Sequence, residues 1–235
     1  QGYIINPLPQ VKQNHVYQEC EADPSGINDG ITQFNLESQT AALNVSLPTT
    51  PSSTYSIAFY EGPGATNMIA TPNNYTNTSN PQPIYFVITN TITGCPSEVG
   101  QFELVVNPKP TIAYTMLDFE SCDDDGVNDG MMFYENNSLG LADYIDDLLG
   151  PTQPDTDYTV EFYTNQADAE AGNSVNAIQN LDTYQVQTGT YWIRIENNTT
   201  GCYSIDSFEV LIEKLAEPLI ESNTGSNIAC VNWNT

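Results

Sequence analysis

The chain has 235 residues, in which 30 acidic side chains stand against 4 lysines and arginines, so its formal net charge is −26 at neutral pH. A surface this acidic repels phosphate backbones and anionic lipid, which argues against nucleic-acid binding and against direct insertion into a membrane. The same charge favours solubility and the binding of cations.

Strand signals recur along the whole chain. Aromatic and β-branched residues alternate with polar ones at 55–60, 84–88, 102–106, 158–163, 191–195 and 208–212. In the strand at 191–195, Tyr191, Ile193 and Ile195 are predicted to face the core. Short helices are predicted at 139–149 and 165–171, where leucine or alanine recurs at helical spacing. Together these elements predict an all-β fold of tandem immunoglobulin-like β-sandwich domains with short helical connections.

The sequence repeats itself with a period of about 100 residues, which is the size of one small domain. The segment from Cys122 to Gly130 resembles the one from Cys20 to Gly30, and Thr-Gly-Cys202 resembles Thr-Gly-Cys95. Such self-similarity predicts an array of small domains.

The repeat anchors also predict the domain boundaries. We expect the end of a preceding repeat and its linker at 1–9, a first immunoglobulin-like repeat at 10–107, a second at 108–217 and the start of a third at 218–235. The prolines of the linker at 107–110 favour extended backbone, so a semi-rigid joint is predicted there.

One early and one late cysteine recur in each repeat, a pattern typical of disulfides formed in an oxidising compartment. It predicts one bond within each domain, Cys20–Cys95 and Cys122–Cys202, and makes Cys230 the first cysteine of a third repeat. Buried free thiols are the alternative. A zinc site is disfavoured because the chain has no Cys-x-x-Cys and only one histidine.

An acidic turn follows the first cysteine of each repeat. Carboxylate oxygens crowded into a tight loop are the ligands that Ca²⁺ prefers, so calcium is the predicted cofactor. The candidate ligands are Asp123, Asp125, Asn128 and Asp129 in the second repeat, and Glu21, Asp23 and Asp29 in the first. The alternative is a solvated loop held by Asx turns.

The order of these motifs resembles a known family. A Pro-x-Pro linker and a cysteine with an Asp-rich turn are followed by Phe-Tyr-Thr-Asn-Gln-Ala-Asp-Ala-Glu-Ala-Gly172, Tyr-Trp-Ile-Arg-Ile-Glu-Asn197, Thr-Gly-Cys202 and Phe-Glu-Val-Leu-Ile212. This order is similar to the repeat modules of very large Bacteroidota cell-surface proteins, including gliding-motility adhesins exported by type IX secretion. The resemblance covers nearly all of 107–217 and, more loosely, 6–106. It implies an extracellular repeat at the cell surface.

No set of residues in the sequence assembles a catalytic site, so no enzymatic activity is predicted. The predicted function is that of a structural or adhesive repeat, part of a calcium-stiffened stalk or filament used in adhesion or gliding. Its predicted partners are neighbouring repeats of the same chain and a glycan or abiotic surface. The alternative is a carbohydrate-binding or accessory module of a secreted enzyme, with Trp192, Tyr184, Tyr191 and Tyr203 as the candidate aromatic platform.

Overall fold

The computed structural model describes residues 6–22, 27–45, 54–123, 127, 129–134 and 140–214, together with the backbone of 220–221 and 230–231. The chain divides into two compact units. Unit 1 contains Gln1–Lys109 and Thr199–Cys202, and unit 2 contains Pro110–Asn198 and Tyr203–Thr235. No helix in the described part of the chain has the length and apolar character needed to cross a membrane.

Unit 1 is a β-sandwich in which a larger sheet packs on a two-stranded one. Its described strands are β1 (His15–Cys20), β2 (Gln33–Phe34), β3 (Tyr55–Gly62), β4 (Thr66–Met68), β5 (Tyr75–Thr76), β6 (Gln82–Asn90) and β7 (Gly100–Asn107). The larger sheet has the order β1-β7-β6-β3-β4, and β2 pairs with β5 in the smaller one. The first strand, β1, runs parallel to the last, β7, whereas the other pairs are antiparallel. A short helix, α1 (Thr40–Leu43), connects the two sheets.

The core of unit 1 follows from the period-two alternation of its strands. In β6, Ile84, Phe86 and Ile88 share one face, and each is fully buried. Phe59 of β3 and Phe34 of β2 pack against this face from the two sheets. The packing explains why alternating aromatic and aliphatic residues fold here as a sandwich.

Unit 2 repeats this architecture. Its described strands are β8 (Phe119–Cys122), β9 (Met131–Phe133), β10 (Tyr158–Tyr163), β11 (Gln185–Gln187), β12 (Gly189–Asn197) and β13 (Tyr203–Glu213). The larger sheet has the order β10-β12-β13-β8, with β8 parallel to β13, and β9 pairs with β11. A further pair joins β14 (Ile220–Glu221) to β15 (Cys230–Val231). The predicted fold of tandem immunoglobulin-like β-sandwiches is therefore confirmed.

The predicted helices are also present. The first begins as a 3-10 turn at Leu141–Tyr144 and continues as α2 (Ile145–Leu149). The second is α3 (Gln166–Ala171), which begins after Asn165 because the Asn165 side chain accepts a hydrogen bond from the backbone N–H of Ala167 at 2.8 Å. Both helices connect strands, as expected.

Strand β12 is buried on its core face and, at one position, on the opposite face. Tyr191, Ile193 and Ile195 lie in the core, as predicted, but Arg194 on the opposite face is only 5% exposed. The Arg194 guanidinium donates to the carbonyl oxygen of Ala169 at 2.9 Å, at the end of α3, and pairs with Glu196. In unit 1 the strand register places Val87 at the position of Arg194. Unit 1 also has a turn where unit 2 has α3. The arginine and the helix therefore occur in the same repeat.

Candidate functional site

A disulfide joins Cys20 to Cys202, whose Cα atoms lie 5.5 Å apart and which are separated by 182 residues in the sequence. Cys95 and Cys122 are free thiols. The predicted pairs Cys20–Cys95 and Cys122–Cys202 are therefore wrong. Cys230 lies where side chains are not described.

The parallel pairing of the first and last strands explains the error in unit 1. Cys20 lies opposite Asn107, the final residue of β7, whereas Cys95 lies in the turn before β7 begins. The six residues of β1 span roughly 17 Å between these two ends. A disulfide requires Cα atoms within about 7 Å of each other, so Cys20 and Cys95 cannot bond.

The same argument applies to the second repeat. Cys122 lies opposite Glu213, the last residue of β13, whereas Cys202 directly precedes Tyr203, the first residue of β13. The 11 residues of β13 separate the two positions by roughly 33 Å. In each repeat, therefore, the early cysteine lies opposite the end of the last strand, and the late cysteine precedes the start of that strand.

The late cysteine of each repeat is presented by the same turn. The Thr93 hydroxyl accepts the backbone N–H of Cys95, and the Thr200 hydroxyl accepts that of Cys202, both at 3.3 Å. Between threonine and cysteine, Gly94 has a φ of 70° and Gly201 a φ of 71°, a left-handed conformation that glycine adopts without strain. The Thr-Gly-Cys motif thus gives the backbone the same conformation before both late cysteines.

The early cysteine of each repeat is followed by a buried carboxylate that closes the acidic turn. Glu21 is 2% exposed and Asp123 is 1% exposed. Glu21 Oε2 accepts the backbone N–H of Gly30 at 3.0 Å, and Asp123 Oδ2 accepts that of Gly130 at 2.5 Å. In each repeat, one buried carboxylate therefore binds the glycine at the end of the acidic segment.

The two buried carboxylates differ in their second oxygen. Glu21 Oε1 accepts the backbone N–H of Ala22 at 3.0 Å. Asp123 Oδ1 is buried and has no hydrogen-bond partner. Burial of an unpaired oxygen of this kind is costly and rare in proteins.

The other predicted calcium ligands fall into two groups. Asp29 and Asp129 are exposed, and their Oδ1 atoms accept the backbone N–H of Ile31 at 2.8 Å and of Met131 at 3.0 Å, so both form Asx turns. Asp23, Asp125 and Asn128 lie outside the described residues. In the part of the chain that the structure describes, no group of three or more His, Cys, Asp and Glu side chains is arranged to hold a metal ion.

The aromatic residues considered for carbohydrate binding do not form an exposed platform. Tyr191 is 1% exposed and stacks on Phe208 in the core. The ring of Tyr203 lies under the guanidinium of Arg194, 3.6 Å from its carbon atom. Trp192 packs on the small cluster formed by Tyr163, Ala169 and Ala177. These side chains stabilise unit 2.

Two stretches of the chain, residues 16–110 and 118–216, match the model of the Flavobacterium inter-domain disulphide bond domain. The chain belongs to this family. Cys20 lies in the first matched stretch and Cys202 in the second, so the observed bond is an inter-domain disulfide. The sequence repeat correctly predicted that Cys20 and Cys202 are both disulfide-bonded, but it contained no signal for a bond between repeats.

A comparison with curated proteins found no match. Among solved structures, Sidekick-1 immunoglobulin domains 1–4 are similar at 10% identity and a TM-score of 0.28, over 87% of this chain and 51% of that one. A Bacteroides ovatus glucan-locus protein, SGBP-B, solved with a mixed-linkage heptasaccharide, is similar at 11% identity and a TM-score of 0.26, over 87% of this chain and 48% of that one. The chain thus spans about half the length of each structure, and similarity at this level does not bear on function.

Proposed function

We propose that the chain is a non-enzymatic structural and adhesive repeat of a large extracellular protein at the cell surface, in which a disulfide joins each repeat to the next. The observation that carries this proposal is the bond from Cys20 to Cys202, which links the two family repeats. Export by type IX secretion and a role in adhesion or gliding rest on the motif order described above.

The positions of the free thiols support a serial array. Cys122 ends β8 as Cys20 ends β1, and Cys95 follows Thr-Gly as Cys202 does. The two free thiols therefore occupy the same places as the two bonded cysteines. By the same pairing, Cys122 bonds the late cysteine of a following repeat and Cys95 bonds the early cysteine of a preceding one.

Charge and redox chemistry support an extracellular location. Disulfides persist in oxidising compartments, whereas cytosolic thiols are kept reduced. A net charge of −26 keeps neighbouring molecules apart by mutual repulsion, which suits a crowded surface. Carbohydrate binding has less support, because Tyr191 and Tyr203 are held in packing contacts.

Peptide mapping without reduction tests the cross-linking. Alkylation of the oxidised chain should label Cys95 and Cys122 and leave Cys20 joined to Cys202. In a longer segment of the parent protein that carries one more repeat, Cys122 should be recovered joined to the Thr-Gly-Cys cysteine of that repeat. Recovery of Cys122 as a free thiol in that oxidised longer segment would contradict the array.

Labelling of intact cells tests the surface role. Antibodies raised against the chain should bind unpermeabilised cells of the source bacterium and reduce their attachment to glass, whereas antibodies against a cytoplasmic protein should do neither. Labelling that requires permeabilised cells would rule out the proposed location. Specific retention on a glycan array, with no effect on attachment, would favour the carbohydrate-binding alternative.

A further inference from the structure

We propose that the acidic turn of the second repeat, and not that of the first, binds one Ca²⁺ through the buried carboxylate of Asp123. The two turns have similar sequences, but only the second contains a buried carboxylate oxygen without a hydrogen-bond partner. The difference lies in the second oxygen of the buried carboxylate in each.

Asp123 provides the observation that points to a cation. Its side chain is 1% exposed, and Oδ1 has no hydrogen-bond partner. A buried carboxylate needs a proton donor or a cation to offset the loss of its hydration. Because Oδ1 has no donor, a cation is the complementary partner.

The position of Asp123 places this oxygen at the acidic turn. Its Oδ2 accepts the backbone N–H of Gly130, seven residues further along the chain, so the carboxylate lies beside the last residues of the acidic segment. Asp129 lies within the loop, and its Oδ1 accepts the backbone N–H of Met131. The second oxygen of Asp129 is therefore left to coordinate an ion.

Within the described residues, no ion pair joins Asp123 to a lysine or arginine. Lys214 is the neighbouring cation, since its Cε would lie 2.9 Å from a Cβ placed on Gly130. Yet within the described residues the single ion pair is the one between Arg194 and Glu196. Lys214 therefore lies against Gly130 but forms no ion pair with Asp123.

The first repeat meets the same requirement without an ion. Glu21 is one methylene longer than Asp123, and its two oxygens accept the backbone N–H groups of Ala22 and Gly30. Hydrogen bonds to the charged form stabilise a buried carboxylate.

Among hard cations, Ca²⁺ fits an irregular set of oxygen ligands better than Mg²⁺, which demands octahedral geometry.

Isothermal titration of the full oxidised chain with CaCl₂ tests this proposal. One site is expected, with a Kd on the order of 10⁻⁴ to 10⁻³ M, as in extracellular calcium modules. Asp123→Asn should weaken binding at least about 100-fold, by loss of the ligand charge, and the matched variant Glu21→Gln should leave the Kd within about 2-fold of the original. Calcium should raise the melting temperature of the wild-type chain, because only the folded loop binds it.

Asp129→Asn keeps the test decisive if Asp123→Asn fails to fold. Asparagine retains the acceptor for Met131, and the residue is exposed, so this variant should fold and bind calcium at least about 10-fold more weakly. Absence of bound calcium in the wild-type chain would overturn the proposal, as would loss of binding in Glu21→Gln with retention in Asp123→Asn. Either failure leaves the disulfide mapping unaffected, so it is separable from failure of the array.

Discussion

Loss of the inter-domain disulfide should destabilise unit 2 more than unit 1. The chain enters unit 2 at Pro110 and returns to unit 1 at Thr199, and Cys202 is then tied to Cys20. While unit 1 stays folded, unfolding of unit 2 therefore leaves Pro110–Asn198 as a closed loop. Closing a loop restricts the unfolded chain and so favours the folded state.

The size of the effect follows from the length of this loop. For roughly 90 residues, the chain-entropy relation gives about 4–5 kcal/mol at 25 °C. For a domain of this size that corresponds to a fall in melting temperature of roughly 15–20 °C. A residual compact denatured state lowers both figures.

Calorimetry of the double variant Cys20→Ser/Cys202→Ser provides the measurement. The transition of unit 2 should move down by an amount in this range, and the same shift should follow reduction of the wild-type chain. The matched control is Cys95→Ser/Cys122→Ser, which removes the two free thiols of the described residues and should leave both transitions in place. If complete reduction, checked by thiol counting, shifts the transition of unit 2 by less than about 1 kcal/mol, the loop argument is refuted.

Three further predictions concern buried polar groups. Arg194→Met should destabilise unit 2 by about 1–3 kcal/mol in urea unfolding, because it leaves the carbonyl oxygen of Ala169 without its hydrogen bond and removes the partner of the partly exposed Glu196. The exposed control Lys12→Met should cost under about 0.5 kcal/mol, and equal effects would refute the assignment. Asn77→Ala should destabilise unit 1 by about 2–4 kcal/mol, because the Asn77 side chain forms hydrogen bonds with the backbone of Thr32, Gly30 and Ser79. The control Asn74→Ala should be nearly neutral, and equal stability of the two variants would contradict this prediction. Burial raises the pKa of Tyr191 to about 12, so its contribution is complete below about pH 10 and declines as the pH rises towards about 12. The urea midpoint of Tyr191→Phe should therefore fall less over that range, and parallel curves would show that Tyr191 does not contribute.

The sequence predicted the sandwich well because strand alternation is a local property. The residues at 158–163 form β10 with the expected bounds, and Asn165 caps α3 as anticipated. Helical spacing at 139–149 likewise yields a helical connection. Each of these features depends on residues within one or two turns of the chain.

The cysteine pairing depends instead on which strands meet, and this information is not local. Cys20 is separated from Cys95 because β1 runs parallel to β7, a pairing between strands more than 80 residues apart in the sequence. No periodicity within either strand encodes that direction. A repeat pattern assigns equivalent positions to Cys20 and Cys122, but it does not state whether each bonds within its own repeat.

The acidic turns show the same limit on a smaller scale. The sequence placed Glu21 and Asp123 among the candidate calcium ligands, yet both oxygens of Glu21 have hydrogen-bond partners and one oxygen of Asp123 has none. That outcome depends on one methylene and on which backbone N–H groups come within reach. The burial of Arg194 had a visible signal, since the arginine occurs in the repeat that carries α3 and its counterpart in the other repeat is Val87.

The disulfide also decides how far the protein can be stretched. Tension that enters before Cys20 and leaves after Cys202 passes through one sulfur–sulfur bond, so the 182-residue separation between them carries none of the load. Fully extended, that stretch of backbone would measure roughly 600 Å. While the disulfide is intact, this segment does not extend under load even when either unit unfolds. Reduction of the bond allows it to extend. The extension of the chain under load therefore depends on whether its surroundings keep this disulfide oxidised.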